Sequence, residues 1–297
     1  MKKIICTLTL SLMLMTGGTV QTHAKTALVV LAHGSPSQNW NNPALDVERV
    51  LRQQTIHGID YIRVALMEFT EPSIPTVIAD CEREGIDTIF ALPMFIAPSG
   101  HSEEDIPNIL GLKYSPDTRR ELAEENARIV RTPIHIIVGP TLNYGDILER
   151  TMLKRIQEIS TDGKNEALLL LAHGDPERIG IWKKMLGRVS KYIKEHTSID
   201  YIDSKLVAMG HYLVNDVTPL LQQAAAKKKR VLVQGIYINT SALGMAEMSG
   251  LEKKKSEILK DSSVDVVFSA NGILPGSTAD VCQWITERTT EWLDSRR

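Results

Sequence analysis

Residues 27–36 read Ala27-Leu28-Val29-Val30-Leu31-Ala32-His33-Gly34-Ser35-Pro36, and residues 167–176 read Ala167-Leu168-Leu169-Leu170-Leu171-Ala172-His173-Gly174-Asp175-Pro176. Seven of the ten positions are identical at a spacing of 140 residues. Each stretch is continuously apolar and stops at His-Gly followed by a turn residue. A strand with no apolar–polar alternation is buried on both faces, which is the mark of a parallel sheet. The same spacing pairs Asp60-Tyr61-Ile62 with Asp200-Tyr201-Ile202, and close to it Ile86–Ile96 pairs with Val231–Ile238. One α/β unit is therefore written twice along the chain.

Outward from these stretches, short apolar runs alternate with longer amphipathic ones. Strands are expected at Ala27–Ala32, Tyr61–Met67, Thr88–Ile96 and Ile134–Val138, and again at Ala167–Ala172, Lys205–Met209, Val231–Ile238 and Val264–Phe268. Helices are expected at Pro43–Gln54, Ile74–Glu84, Tyr144–Ile159, Arg178–Lys194 and Val214–Lys228, several opened by Pro or Asn in the first turn. The fold class is α/β, with two homologous doubly wound lobes, parallel sheets and a cleft between them. The lobes are expected over 25–160 and 161–297. Leu112–Ala127, rich in charge, reads as a solvated insertion placed to flap over the cleft.

The chain has 297 residues, 43% hydrophobic and 24% charged, which excludes disorder, collagen and coiled coil. Lys2 and Lys3, the apolar run Ile4–Met15 and Thr22-His23-Ala24 have the pattern of a signal peptide over residues 1–24, cut after Ala24. Export to the periplasm is the expectation. No later stretch reaches the roughly 20 apolar residues of a spanning helix, so no integral membrane segment is expected in the mature chain. The formal charge of −2, with no basic block, gives no footprint for nucleic acid. Cys6 leaves with the leader, and Cys81 and Cys282 are too few for a disulfide framework. Two inert thiols are the simpler expectation, although one disulfide is allowed.

Ligands of open parallel sheets bind beyond the carboxyl ends of the strands. In the first lobe the residues there are His33, Glu68 and His101. Two imidazoles and a carboxylate on one sheet edge suit a borderline divalent metal: Co²⁺, Ni²⁺, Fe²⁺ or Zn²⁺. Nucleotide chemistry has no support, because neither G-x-x-x-x-G-K-[ST] nor a G-x-G-x-x-G following a strand is present. HExxH is absent, Ser35 and Ser99 lie in no G-x-S-x-G elbow, and Ala32 and Ala172 stand where a histidine phosphatase needs Arg before its His.

The strings Ala65-Leu66-Met67-Glu68-Phe69-Thr70-Glu71-Pro72-Ser73 and Pro93-Met94-Phe95-Ile96-Ala97-Pro98-Ser99-Gly100-His101-Ser102-Glu103-Glu104-Asp105-Ile106-Pro107, with His33-Gly34-Ser35, resemble the CbiX family. That family comprises the sirohydrochlorin cobaltochelatases and ferrochelatases, the class II tetrapyrrole chelatases. The resemblance covers most of the first lobe. It implies that His33 and His101 are the catalytic and metal-binding pair, and that Glu68 helps hold the metal. It further implies ATP-independent insertion of Co²⁺ or Fe²⁺ into sirohydrochlorin, within cobalamin or siroheme-type biosynthesis, by a lyase. No cofactor is expected beyond the substrate metal, Co²⁺ with Fe²⁺ or Ni²⁺ as alternatives. Ser35, Ser99, Gly100, His173 and His211 are candidate substrate contacts. A carboxylate-rich macrocycle calls for cations at the cleft rim, for which Arg63, Lys113, Arg119, Arg120, Arg178, Lys183 and Lys184 are available.

The second lobe keeps His173. However, the place of Glu68 falls at Gly210 or His211, and that of His101 near Leu243. It is expected to form the opposing wall, with Trp182 and Met245-Ala246-Glu247-Met248 as apolar packing. The competing reading is an exported, non-catalytic carrier of chelatase ancestry that binds a metal or a tetrapyrrole. Oligomeric state is not legible.

Overall fold

The computed structural model describes residues 24–67, 70–207, 212–259, 263–274 and 276–296. In chain order the first half holds β1 (Thr26–Ala32), α1 (Gln38–Leu51), β2 (Tyr61–Leu66), α2 (Ile74–Arg83) and β3 (Thr88–Pro93). A π-helical turn, His101–Asp105, then runs into α3 (Ile106–Ile109), followed by α4 (Pro116–Glu124), β4 (His135–Val138) and α5 (Ile147–Ile159). The second half repeats the plan: β5 (Glu166–Ala172), α6 (Ile179–His196), β6 (Tyr201–Leu206), α7 (Tyr212–Ala225) and β7 (Arg230–Gly235). It ends with α8 (Ala242–Ser249), α9 (Leu251–Ile258), β8 (Asp265–Phe268) and α10 (Thr278–Asp294). The strands form two four-stranded parallel sheets, ordered β2-β1-β3-β4 and β6-β5-β7-β8.

The duplicated stretches are the sheet centres, fully buried along their length. Alternate side chains serve different cores: Leu28, Val30 and Ala32, like Leu168, Leu170 and Ala172, face a core shared by both lobes. Ala27, Val29 and Leu31 pack under α2 and α3, whereas Ala167, Leu169 and Leu171 pack under α7 and α8. Four helices fill the shared core, and two of them cross between halves. From the first half, α5 packs on α6 and β7, while α10 from the second half packs on α1. Trp292 stacks on Phe90 with centroids 4.6 Å apart, and Trp284 Nε1 donates to Tyr144 O at 2.7 Å.

Several local expectations differ. The sixth strand is Tyr201–Leu206 rather than Lys205–Met209, because this edge strand is half-buried and carries Asp203, Ser204 and Lys205. Apolar continuity therefore marked its end and not its body. The segment 112–127 is no flap: it forms α4, anchored by buried Leu122 on the outer core and by Arg119 Nε donating to Asn108 Oδ1 at 3.0 Å. Cys81 and Cys282 are free and buried, and burial pushes their thiols up to about 12 and about 11. Among the described residues, no helix is long and apolar enough to cross a membrane.

Candidate functional site

The carboxyl ends of β1, β3, β5 and β7 open onto a cavity of about 350 Å³ between the lobes. His33 leaves β1 where Gly34 adopts φ +81°, and His173 leaves β5 where Gly174 adopts φ +78°. Glycine makes that left-handed turn without the penalty a Cβ would bring, so each strand can end abruptly in an imidazole. His101 opens the π-helical turn after β3.

His33 and His101 meet edge to face, with ring centroids 4.9 Å apart and planes at 83°. The Nδ1 of His33 donates to Gly34 O at 2.8 Å, and that of His101 donates to Asp105 Oδ2 at 2.7 Å. Each acceptor fixes the tautomer, so in the neutral rings the lone pair sits on both Nε2 atoms. A carboxylate behind an imidazole also raises its donor strength toward a metal. Phe95 lies 6.5 Å from the His33 ring and 6.2 Å from that of His101, an apolar neighbour to both.

Across the cavity stands His173, its ring 5.4 Å from Trp182. Its ring keeps solvent contact, yet crowding by protein atoms in the cleft holds its pKa below the usual histidine value. Any protonation of His101 or His33 acts in the same direction, against the Gly174 main chain and Asp175. His173 therefore faces the pair as a neutral imidazole at neutral pH.

Of the other expected residues, Ser99 lines the cavity and is buried, and Gly100 adjoins it. Ser35 does not line it: its Oγ accepts from Ser37 N at 3.2 Å, within its own turn. Glu68 and His211 lie outside the described residues. Among the described residues no group of three or more His, Cys, Asp or Glu side chains is set to hold a metal ion, so the paired imidazoles are the part of the expected ligand set that is in view.

The expected cationic rim is absent from the lining, which contains no Lys or Arg among the described residues. Arg63 pairs with Asp80 at 2.7 Å and Glu48 at 3.4 Å, and Lys113 pairs with Glu104. Arg120 pairs with Asp117 at 2.8 Å, and Arg119 donates to Lys113 O at 2.7 Å. Arg178 is held by Asp175 at 3.4 Å and Glu177 at 3.2 Å, while Lys183 and Lys184 are exposed on α6. Local carboxylates and carbonyls had first claim on most of these cations.

The wall after β7 was not anticipated. Pro93 and Gly235 occupy the same register place against Leu31 and Leu171, so Phe95 corresponds to Tyr237, Ala97 to Asn239 and His101 to Leu243. Tyr237 and Asn239 line the cavity, and the Tyr237 hydroxyl and Asn239 Oδ1 are buried with no hydrogen-bond partner among the described residues. Burial raises the Tyr237 pKa. Such orphaned polar atoms are rare in native folds, and the Tyr237 ring carries its hydroxyl into the outer core of the second lobe, beside Gly235. Extending the repeat register past the third strand of each half would have found them.

Two homologous parallel-sheet lobes with paired imidazoles at their cleft define a two-lobed α/β protein with its cavity at the strand ends. Residues 27–159, the N-terminal lobe, match the CbiX family model. Among its relatives, the sirohydrochlorin cobaltochelatase of Methanococcus maripaludis is 36% identical over 91 residues, 31% of this chain and 62% of that protein. The chain thus spans under two thirds of that curated relative's length. The whole two-lobed fold resembles SirB from Bacillus subtilis with Fe³⁺, at TM-score 0.65 and 16% identity over 90% of this chain and 95% of that one. It likewise resembles the cobalt complex of the sirohydrochlorin chelatase SirB from Bacillus subtilis subspecies spizizenii, at TM-score 0.61 and 16% identity over 90% and 94%.

Proposed function

We propose that this protein inserts a divalent metal ion, Co²⁺ or Fe²⁺, into sirohydrochlorin without a nucleotide. The observation that carries this is the His33–His101 pair, 4.9 Å apart with both Nδ1 atoms engaged, at the wall of a mostly apolar interlobe cavity. Metallation of a free-base macrocycle breaks two pyrrolic N–H bonds and forms metal–nitrogen bonds, with no change in oxidation state. The site must deliver an ion stripped of part of its water and receive two protons. Neutral imidazoles ligate borderline metals well enough to capture the ion and labilely enough to release it. With Asp105 behind it, His101 is the stronger donor of the pair.

The apolar lining of Met94, Phe95, Ile96, Trp182 and Ile236 takes the faces of the ring and displaces water, which strengthens the polar interactions at its centre. The macrocycle's peripheral carboxylates extend beyond the lining toward the start of α6, where Arg178, Lys183 and Lys184 are carried. The leader-like pattern of residues 1–24 supports export of the protein before it acts. Cleavage after Ala24 would turn the main-chain N–H of Lys25, which now donates to Asp87 Oδ2 at 2.8 Å, into an ammonium beside a carboxylate.

The test is the initial rate of metallation, followed by absorbance, for wild type and His101→Ala with sirohydrochlorin and Co²⁺ or Fe²⁺ under anaerobic conditions. Loss of the catalysed rate in the variant supports the proposal. Equal rates would place the chemistry elsewhere.

A further inference from the structure

The loop that carries His101 is held by the other lobe. Within its own lobe, Ser99 N donates to Ser102 Oγ at 2.9 Å, and Glu103 N donates to Ser99 O at 2.9 Å. The main-chain groups on either side of Ser99 turn across the cleft instead. Trp182 Nε1 donates to Pro98 O at 2.9 Å, and Gly100 N donates to Asp175 Oδ2 at 2.9 Å. Both partners belong to the start of α6 and the turn leading into it. The second oxygen of Asp175 accepts from Glu177 N and Arg178 N, each at 3.0 Å, so the carboxylate is fixed at both ends. Trp182 is 2% exposed and packs in the shared core beside Met185, Leu186 and Val189. The loop is thereby tied to a rigid element and not to another loop.

The two halves differ at this point. Asp175 stands where the first lobe has Ser35, whose hydroxyl caps its own turn. The second lobe has Leu243 in the place of His101 and so lacks the second imidazole itself. We infer that Asp175 and Trp182 are positioning residues: they hold the Pro98–His101 segment so that the His101 ring meets His33 at ligand-pair geometry. This is the use that the duplicated lobe has kept. The inference rests on the proposal that His33 and His101 take the metal.

The experiment titrates the full chain with Co²⁺ and records ligand-field absorbance beside thermal unfolding, for wild type, Asp175→Ser, Trp182→Phe and His101→Ala. Serine restores the first lobe's residue and caps the turn well but is too short to span to Gly100. Phenylalanine keeps an aromatic ring and removes the donor. Each is expected to weaken Co²⁺ binding by about 10-fold or more, the range for residues that orient a ligand, and to shift the ligand-field bands while the chain stays folded. Unchanged affinity and bands in both variants, with binding lost in His101→Ala, would overturn the positioning role and leave the site standing. Wild-type binding by His101→Ala would overturn the site and the positioning role together.

Discussion

Two histidines 140 positions apart in a repeat, His33 and His173, sit in the same turn yet have different company. His33 has His101 at 4.9 Å, whereas the register equivalent of His101 in the second lobe is Leu243. Under the proposed function, this difference puts metal capture in the first lobe. His33→Ala and His101→Ala are each expected to slow metallation by about 100-fold or more, with far-UV circular dichroism unchanged. Asp105→Asn, which weakens the support behind His101 and removes its charge, is expected to lower Co²⁺ affinity by about 10-fold in a direct titration. The paired imidazoles were legible in the sequence because the rule that ligands sit at strand ends needs only strand positions and a residue type. The cationic rim was not legible. Whether Arg63 points into a cleft or to Asp80 and Glu48 is decided by neighbours that the sequence does not order in space.

At the scale of elements, the strands follow from apolar continuity, but the partner of a helix does not. The apolar face of α10 announces that it is buried, without saying that it lies on α1 of the other half. Trp292→Ala removes the ring stacked on Phe90 and is expected to cost about 2 kcal/mol in urea unfolding, while leaving Co²⁺ affinity unchanged because α10 does not reach the cleft lining. The connection from α5 to β5 depends on Glu166, which is 1% exposed. Burial alone would push its carboxyl up. Ser160 Oγ at 2.5 Å, Thr161 N at 2.8 Å and Asp162 N at 3.2 Å together hold it below the usual range. A carboxyl lowered in the folded state contributes stability that is full above its unfolded value, about 4.3, and is lost as pH falls through the folded one. Wild type should therefore lose stability steeply below about pH 4. Glu166→Gln should be less stable at pH 7 by about 2 kcal/mol and flatter across the acid limb, as urea midpoints against pH would show.

The molecule as a whole is two copies of one sheet closed around a single core, with α5 and α10 exchanged across it. Because Leu28, Val30, Leu168 and Leu170 share that core, the lobes should unfold together. Urea transitions followed by tryptophan fluorescence and by far-UV circular dichroism are expected to coincide, and two separated transitions would mean that the lobes stand independently. The shared core also explains how a lobe lacking its own imidazole pair can still shape the site: it supplies His173, Tyr237 and Asn239 to the far wall and a hydrogen-bonded hold on the His101 loop. The most direct test of this account is the number of sirohydrochlorin molecules converted per protein, with the protein substoichiometric and Co²⁺ or Fe²⁺ in excess. The account predicts many equivalents metallated above the uncatalysed background. A spectral change that stops at one equivalent would contradict it and describe a carrier of metal or tetrapyrrole.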